Sequence, residues 1–202
     1  MTGAVVPSEP PESPVMLVPG ASRLAVIDAQ TGLLPHVRGG AAVAARCALL
    51  ARGAKALGVP VRASVQAPDK LGDVADDVAA ALREADCAPA PKTAFGAAAV
   101  LKLTEAVSDA RHQVVLCGVE THVCVSQTAL ELMSAGYAVT VAADACGSRS
   151  DRDHGIALGR LRDEGVAVST AEAVLFEWCR SAKNPAFPAL RDLVKAAAGS
   201  GA

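Results

Sequence analysis

Residues 112–143 are HQVVLCGVETHVCVSQTALELMSAGYAVTVAA, and they establish the class of fold. The run at 112–117 is short and apolar, which is typical of a buried strand. Residues 122–135 have helical composition and are followed by a glycine, and residues 137–143 predict a second strand. Two strands joined by a helix of this length favour parallel pairing through a right-handed crossover.

The same alternation of strands and helices continues in both directions from this stretch. The predicted strands are 23–28, 59–66, 87–92, 112–117, 137–143 and 166–169. The predicted helices are 41–58, 73–85, 96–110, 122–135, 151–164, 171–179 and 187–198. This pattern predicts a three-layer α/β/α domain with a doubly wound, six-stranded parallel sheet, a Rossmann-like fold with strand order 3-2-1-4-5-6. The third strand contains prolines, which places it at the sheet edge.

The first 20 residues differ from the rest of the chain because five of them are prolines. They lack a basic segment ahead of an apolar one, so they do not read as a secretory signal. Residues 1–20 are therefore predicted to be a flexible, proline-rich N-terminal arm, and the alternative is an arm that wraps a neighbouring subunit. Residues 21–202 are predicted to form a single domain.

Composition argues against several classes of protein. Apolar residues make up 51% of the chain and aromatic residues 2%, so the core is expected to consist of alanine, valine and leucine. The net charge of −2 is spread without a basic block, which argues against a nucleic-acid partner. No apolar run reaches about 20 residues, so no membrane span is expected. The apolar helices and last strands would leave apolar surface on a monomer, which predicts a homo-oligomer.

Six cysteines are scattered through apolar segments without C-x-x-C spacing. Most of them are interpreted as buried free thiols in a reducing compartment, which predicts a cytoplasmic protein. Cys124 differs, because it falls in the first turn of the helix after the fourth strand. Backbone N–H groups at a helix N-terminus, together with a nearby ammonium, would stabilise its thiolate.

Ligands of doubly wound sheets bind at the carboxyl ends of the strands, near the point where the strand order reverses. Asp28 ends the first predicted strand, Lys92 ends the third, and Cys124 follows the fourth. Each has a structural alternative: a turn or capping carboxylate, a solvated lysine, and a small buried side chain. Because the three positions meet at one edge of the predicted sheet, we expect a carboxylate, an ammonium and a thiol in a single cleft.

These residues stand within longer motifs that resemble a known family. Asp-x-Gln at 28–30, Lys-Thr-x-Phe at 92–95 and GVETHVCV at 118–125 resemble the isochorismatase-like cysteine hydrolases. The stretches QTALELMSAGYAVTVAADACGSRSDRD and STAEAVLFE resemble the short isochorismatase-domain-containing subgroup in particular. The similarity covers about residues 15–197, so the predicted domain is expected to be an isochorismatase-like hydrolase domain.

The resemblance implies a catalytic triad of Asp28, Lys92 and Cys124. It also implies a cis peptide bond between Val119 and Glu120, with the N–H groups of Glu120 and Cys124 forming an oxyanion hole. In the implied reaction the carboxylate accepts the thiol proton, the ammonium holds the thiolate, and the sulfur attacks an amide-like or carbamoyl carbonyl. A thioester then forms and is hydrolysed, so a small-molecule substrate with a C–N bond is expected.

This sequence departs from the family pattern near the end of the second strand, which bears on the expected metal and substrate. The nicotinamidase branch carries Asp-x-His and a further histidine for a metal near the end of the second strand. This chain has QAPDKLGD at 66–73, so no metal, no cofactor and no nicotinamide substrate are expected. The candidate residues of the substrate pocket are Gln30, Leu33, Leu34 and Phe95, which suggest a small and mainly apolar cavity.

The four histidines are not expected to take part in catalysis. His122 is too close to Cys124 along the chain to serve easily as its base, so a packing or loop-bonding role is expected. His36 could line the mouth of the site, although a surface position is favoured. His112 and His154 are expected at the surface.

Other functions compete with that of a hydrolase. A low-pKa Cys124 could serve thiol-redox chemistry instead of acyl transfer. A catalytically silent interaction protein could keep the fold and the site residues. A nucleic-acid enzyme is disfavoured by the even distribution of charge.

Overall fold

One parallel sheet forms the centre of the protein. The computed structural model describes residue 13, residues 15–103 and residues 111–199. Six strands lie in the order β3-β2-β1-β4-β5-β6, and every neighbouring pair is parallel, which confirms the predicted fold and strand order. The strands are β1 (Ser22–Ile27), β2 (Val61–Gln66), β3 (Ala90–Lys92), β4 (Gln113–Val119), β5 (Ala138–Gly147) and β6 (Ala167–Ser169).

Helices cover both faces of the sheet. Those in the described ranges are α1 (Gly40–Ala56), α2 (Pro68–Leu71), α3 (Asp76–Glu84), α4 (Ser126–Ser134), α5 (Asp151–Asp163), α6 (Ala171–Cys179) and α7 (Phe187–Gly199). Helix α1 packs against α3, α6 and α7, whereas α4 packs against α5. The side chains of Ser150 and Thr170 cap α5 and α6, which fixes where these two helices begin. Within the described residues, no helix combines the length and the apolar character that a membrane crossing requires.

The core is built from small and branched apolar side chains. Strands β1 and β4 are buried along their whole length, as expected for parallel strands with helices on both faces. Gly53 on α1 lies against Leu175 on α6, and a Cβ at Gly53 would meet a methyl carbon of Leu175 at 2.3 Å. All six cysteines are free thiols, and five of them are buried.

The predicted helix over 96–110 is wrong in its described part. Residues 98–102 form turns instead, and residues 104–110 lie outside the described residues. The backbone N–H of Ala97 donates to the hydroxyl of Thr128 on α4 at 3.0 Å. This hydrogen bond attaches the start of the segment to α4.

The last residues of the predicted arm, residues 1–20, contact the domain. Leu17 is buried, and its N–H donates to the carboxylate of Glu177 at 2.9 Å. The next N–H, that of Val18, donates to the side-chain oxygen of Gln113 at 2.8 Å. These contacts attach the end of the predicted arm to the domain, because a buried backbone donor needs a partner. Residues 1–12 and residue 14 lie outside the described residues.

Candidate active site

Asp28 follows directly after β1 and is fully buried. Its backbone lies in the left-handed region, with φ at +49°, a conformation that aspartate tolerates better than most residues. Its N–H donates to the carbonyl of Ser64 at 3.1 Å, and its carbonyl accepts from the N–H of Gln30 at 2.7 Å. The end of the strand and the tight turn after it therefore fix where the carboxylate lies.

Lys92 is the last residue of the edge strand β3 and is paired in register with Gln66 of β2. Its ammonium nitrogen lies 2.6 Å from Oδ2 of Asp28. It also donates to the side-chain oxygen of Gln66 at 2.6 Å and to the carbonyls of Ala94 and Phe95 at 3.2 and 3.0 Å. Acceptors of this kind offset the cost of burying the Lys92 side chain.

Cys124 lies in a π-helical turn, Thr121–Val125, between β4 and α4. Its Sγ is 3.6 Å from the ammonium nitrogen of Lys92, and the residue is 6% exposed. The carbonyl of Cys124 accepts from the hydroxyl of Thr128 at 2.7 Å, which holds this turn against the start of α4. The structure therefore brings the three residues named from the sequence into one buried cluster.

The backbone that leads to Cys124 has two special features. Gly118 has a φ of +114°, and a Cβ there would lie 1.9 Å from the carbonyl oxygen of Ile27. Only glycine permits this close approach between β4 and β1. The peptide bond between Val119 and Glu120 is cis. The carbonyl of Glu120 accepts from two N–H groups of the following turn, those of Val123 and Val125, at 3.0 and 3.2 Å.

The resting thiol of Cys124 is protonated. Burial, followed by the negative charge of Asp28, raises the pKa of Cys124 to about 12, and Lys92 offsets only part of this rise. A hydrogen bond with the Asp28 carboxylate raises the pKa further. The sequence argument for a low pKa is therefore wrong in its direction, because it included the helix N-terminus and the ammonium but neither the burial nor the carboxylate.

Ser64 and Gln66 on β2 also belong to the site, and the sequence analysis did not find them. The hydroxyl of Ser64 donates to Oδ1 of Asp28 at 2.7 Å. Besides accepting from Lys92, the side chain of Gln66 donates to the carbonyl of Thr93 at 2.9 Å. Both lie near the carboxyl end of β2, two positions apart. Because side chains of a strand alternate between its two faces, Ser64 and Gln66 lie on the same face, and this spacing is the signal by which the sequence could have identified them. Ser64 and Gln66 are positioning residues for the carboxylate and the ammonium.

A short segment after β5 braces the turn that carries Cys124. Glu120, which precedes the turn, and the first two residues of the turn bind side chains or backbone of residues 148–154. The pairs are Glu120 with Arg149, Thr121 with His154 at 2.9 Å, and His122 with Ser148 at 3.0 Å. The expected loop-bonding role of His122 matches this contact. His154 is not a simple surface residue, since it is half-buried and burial lowers its pKa, with Asp151 opposing the shift.

The four residues predicted to line the substrate pocket do not lie together around one cavity. Gln30 is fully buried and binds backbone only: its amide donates to the carbonyls of Gln66 and Gly72, and its oxygen accepts from the N–H of Gln66. Its role is thus structural, because these bonds occupy both amide hydrogens. Leu34 is buried in the core and Phe95 is 54% exposed.

Leu33 does border a cavity. This cavity of about 690 Å³ is lined by Gly32, Leu33, His36, Leu71, Glu120 and Arg149. A second cavity, of about 840 Å³, has Lys92 in its lining together with parts of residues 67–70 and 91–100. Both volumes fall in the range typical of sites for small molecules. In the described ranges, no three His, Cys, Asp or Glu side chains come together as a group that could hold a metal ion.

Comparisons with known proteins agree on one family. A model of the isochorismatase domain matches residues 22–173. Isochorismatase domain-containing protein 2 of Bos taurus is 36% identical over 182 residues, which cover 89% of this chain and 85% of that protein. The structure of MAR1 ribonuclease from Caenorhabditis elegans superposes with a TM-score of 0.83 at 27% identity, covering 89% of this chain and 92% of that chain.

A bacterial structure shares the fold at lower identity. The YcaC protein of Escherichia coli, described as an octameric hydrolase of unknown specificity, has a TM-score of 0.76 at 23% identity. The match covers 94% of this chain and 99% of that chain. The shared architecture therefore extends over nearly the whole length of both proteins.

Proposed function

Because this chain belongs to the isochorismatase family, we propose that it is a cysteine hydrolase that cleaves a small amide-like or carbamoyl C–N bond through a thioester. One observation carries the proposal. The ammonium of Lys92 lies 2.6 Å from the carboxylate of Asp28 and 3.6 Å from the sulfur of Cys124, and all three residues are buried. A nucleophile, a base and a cation within reach of one another are what acyl transfer to sulfur needs.

The raised pKa of Cys124 defines how the first step proceeds. Because burial and the charge of Asp28 raise the pKa of Cys124 to about 12, the thiol needs a base to remove its proton near pH 7. Transfer of its proton to Asp28 moves a negative charge onto sulfur without changing the net charge of the site. Lys92 stabilises the negative charge on either atom, because it contacts both. Asp28 is therefore the general base of the reaction.

The remaining steps return the site to its starting state. The sulfur forms a bond to the substrate carbonyl carbon, and the carbonyl oxygen becomes an oxyanion that accepts from the N–H groups of Glu120 and Cys124. The protonated Asp28 then gives its proton to the leaving nitrogen as the C–N bond breaks. Water, giving a proton to the Asp28 carboxylate, attacks the thioester and releases a carboxylic acid, and the proton returns to the sulfur of Cys124.

The rival functions fit the geometry less well. A thiol-redox sensor depends on a low-pKa thiolate, and Cys124 is shifted in the opposite direction. A catalytically silent protein has no need of the buried charges of Asp28 and Lys92, which are costly to keep. The ribonuclease name belongs to the Caenorhabditis elegans structure, and the balanced charge of this chain does not favour RNA.

Assembly and location follow from separate observations. The Escherichia coli neighbour is octameric, and Phe95, Ile156 and Phe176 are large apolar side chains exposed in this chain, so we propose a homo-oligomer. Six free thiols support a reducing compartment, the cytoplasm. Light scattering on the purified full chain tests the assembly.

The activity is tested by screening small amides and carbamoyl compounds for ammonia release. Cys124→Ser and Cys124→Ala are the blanks, and Cys87→Ser is the matched control because Cys87 is a half-buried thiol in no described contact with the site. We expect release by the wild type and by Cys87→Ser and none by either Cys124 variant. Release that survives loss of Cys124, or cleavage of RNA instead of amides, contradicts the proposal.

A further inference from the structure

Helix α5 has an exposed outer face that carries an apolar side chain between two opposite charges. Arg152, Ile156, Gly159 and Asp163 follow one another at intervals of four, three and four residues, so they form one stripe along the helix. Ile156 is 60% exposed, and both charged residues are exposed as well. A Cβ at Gly159 would meet nothing within 4 Å. The stripe is therefore open to contact from outside the chain.

The two charged residues of the stripe lie at the ends of α5 that disfavour them. A helix macrodipole favours acidic side chains in the first turn and basic side chains in the last turn. Arg152 lies in the first turn, and Asp163 is the last residue of the helix. Among the described residues, neither side chain has an ion-pair or hydrogen-bond partner. The fold of a single chain thus gives no stabilising contact to either charge.

Two glycines on the same side of α5 allow a close approach. Glycine inside a helix is destabilising relative to alanine, because it loses more conformational freedom on folding. A Cβ at Gly155 or at Gly159 would meet nothing within 4 Å, so packing within the chain does not require glycine at either position. The distance between two packed helices depends on the side chains at their contact. Glycines on this face therefore permit a second helix to lie close to α5.

The stripe is complementary to itself. Arg152 and Asp163 are equally far from the middle of the stripe, and so are Ile156 and Gly159. When two copies of one surface pack about a twofold axis, every contact between different residues occurs twice. In an antiparallel pair of α5 helices, Arg152 faces Asp163 of the partner subunit, and Ile156 faces Gly159 of the partner subunit. Opposite charges then meet at both ends, and the exposed isoleucine packs over a glycine.

We propose that the outer face of α5 is an interface between two copies of this chain, packed antiparallel about a twofold axis through the middle of the stripe. The interface rests on the homo-oligomer proposed above and is independent of the hydrolase activity. The two charge pairs set the direction and register of the helices, and Ile156 supplies the apolar contact at the centre. The inner side of α5 holds the turn that carries Cys124, through the hydrogen bond of His154 with Thr121. The two subunits are thus joined through the helix that braces this turn.

Charge reversal tests the interface. Sedimentation velocity of the full chain over a range of protein concentrations measures the dissociation constant. Arg152→Glu brings two negative charges together across the interface, and Asp163→Arg brings two positive charges together. Each change should raise the dissociation constant by about tenfold or more. Both changes place the charge that the macrodipole favours, so weaker assembly cannot come from a weaker helix.

Mixing the two variants gives the sharpest result. An equimolar mixture of the Arg152→Glu and Asp163→Arg proteins should assemble again, because a pair with one subunit of each kind has opposite charges at both ends. Gly159→Gln should also weaken assembly without lowering the thermal stability, since the added side chain has free space in the single chain. Arg83→Glu is the matched control, because it reverses an exposed charge on α3, and it should assemble like the wild type.

Three results would overturn the interface. One is assembly that each single charge reversal leaves unchanged, and another is a mixture of the two variants that assembles no better than either alone. Both of these refute the interface and leave the proposed hydrolase intact. The third is a wild-type chain that stays monomeric, which refutes the proposed homo-oligomer together with the interface. Sedimentation needs no turnover, so failure of all amides to release ammonia would refute the hydrolase alone.

Discussion

The ammonium nitrogen of Lys92 lies 2.6 Å from Oδ2 of Asp28, and neither side chain is more than 2% exposed. This buried pair is electrically neutral as a unit, so ionising Cys124 beside it would add an unbalanced negative charge. The thiol therefore stays protonated at rest. The same contact explains why a proton transfer within the cluster is favoured over loss of a proton to water.

Removing the cation should destabilise the fold. In Lys92→Met the Asp28 carboxylate stays buried without its partner, which should cost about 3–5 kcal/mol of unfolding free energy. Asp28→Asn should recover part of this loss in the double variant, because the unpaired charge is gone. Urea unfolding of the two single variants and the double variant measures the coupling. Strictly additive losses would show that the two side chains do not interact.

The hydroxyl of Ser64 should matter for stability and for turnover. Ser64→Ala leaves Oδ1 of Asp28 without its 2.7 Å donor, which should cost about 1–3 kcal/mol and slow amide hydrolysis. Ser134→Ala is the matched control, since the Ser134 hydroxyl is exposed and binds only a carbonyl of its own helix. That change should stay within about 0.5 kcal/mol. Equal effects of the two variants in thermal and urea unfolding would contradict a stabilising role for the Ser64 hydroxyl.

Much of the fold follows from sequence pattern, because buried parallel strands and the helices between them leave a strong apolar signature. The positions of Asp28, Lys92 and Cys124 followed from the same pattern, since topology alone brings strand ends together. The partners Ser64 and Gln66 did not, because their role depends on register between neighbouring strands. The direction of the Cys124 pKa shift depends on depth of burial and on a contact with Asp28, and neither is visible in one dimension.

Alkaline pH should weaken the fold. Burial raises the pKa of Cys146 and of Cys124. The pKa of Cys117 is raised by its hydrogen bond with Cys47 and by burial. Above pH 9 the unfolded thiols lose protons that the folded thiols keep, so the unfolding free energy falls as pH rises through this window. The slope should approach about 1.4 kcal/mol per pH unit for each such thiol. Urea unfolding on both sides of pH 9 measures this slope. Cys146→Ala should reduce the slope because it removes one of the thiols. A slope that this change leaves the same would count against thiols that stay protonated in the folded protein.

The most direct test of the cluster of Asp28, Lys92 and Cys124 is the rate at which iodoacetamide alkylates Cys124. Mass spectrometry follows this rate as a function of pH. Cys87→Ser is the background, because the other cysteines besides Cys124 are buried. With a pKa of about 12, the rate should rise about tenfold per pH unit without a plateau at neutral pH. In Asp28→Asn the profile should move to lower pH, so that alkylation at neutral pH becomes faster while amide hydrolysis is lost. A wild-type plateau near pH 7, or identical profiles for the two proteins, would contradict the claim that Asp28 governs the proton of Cys124.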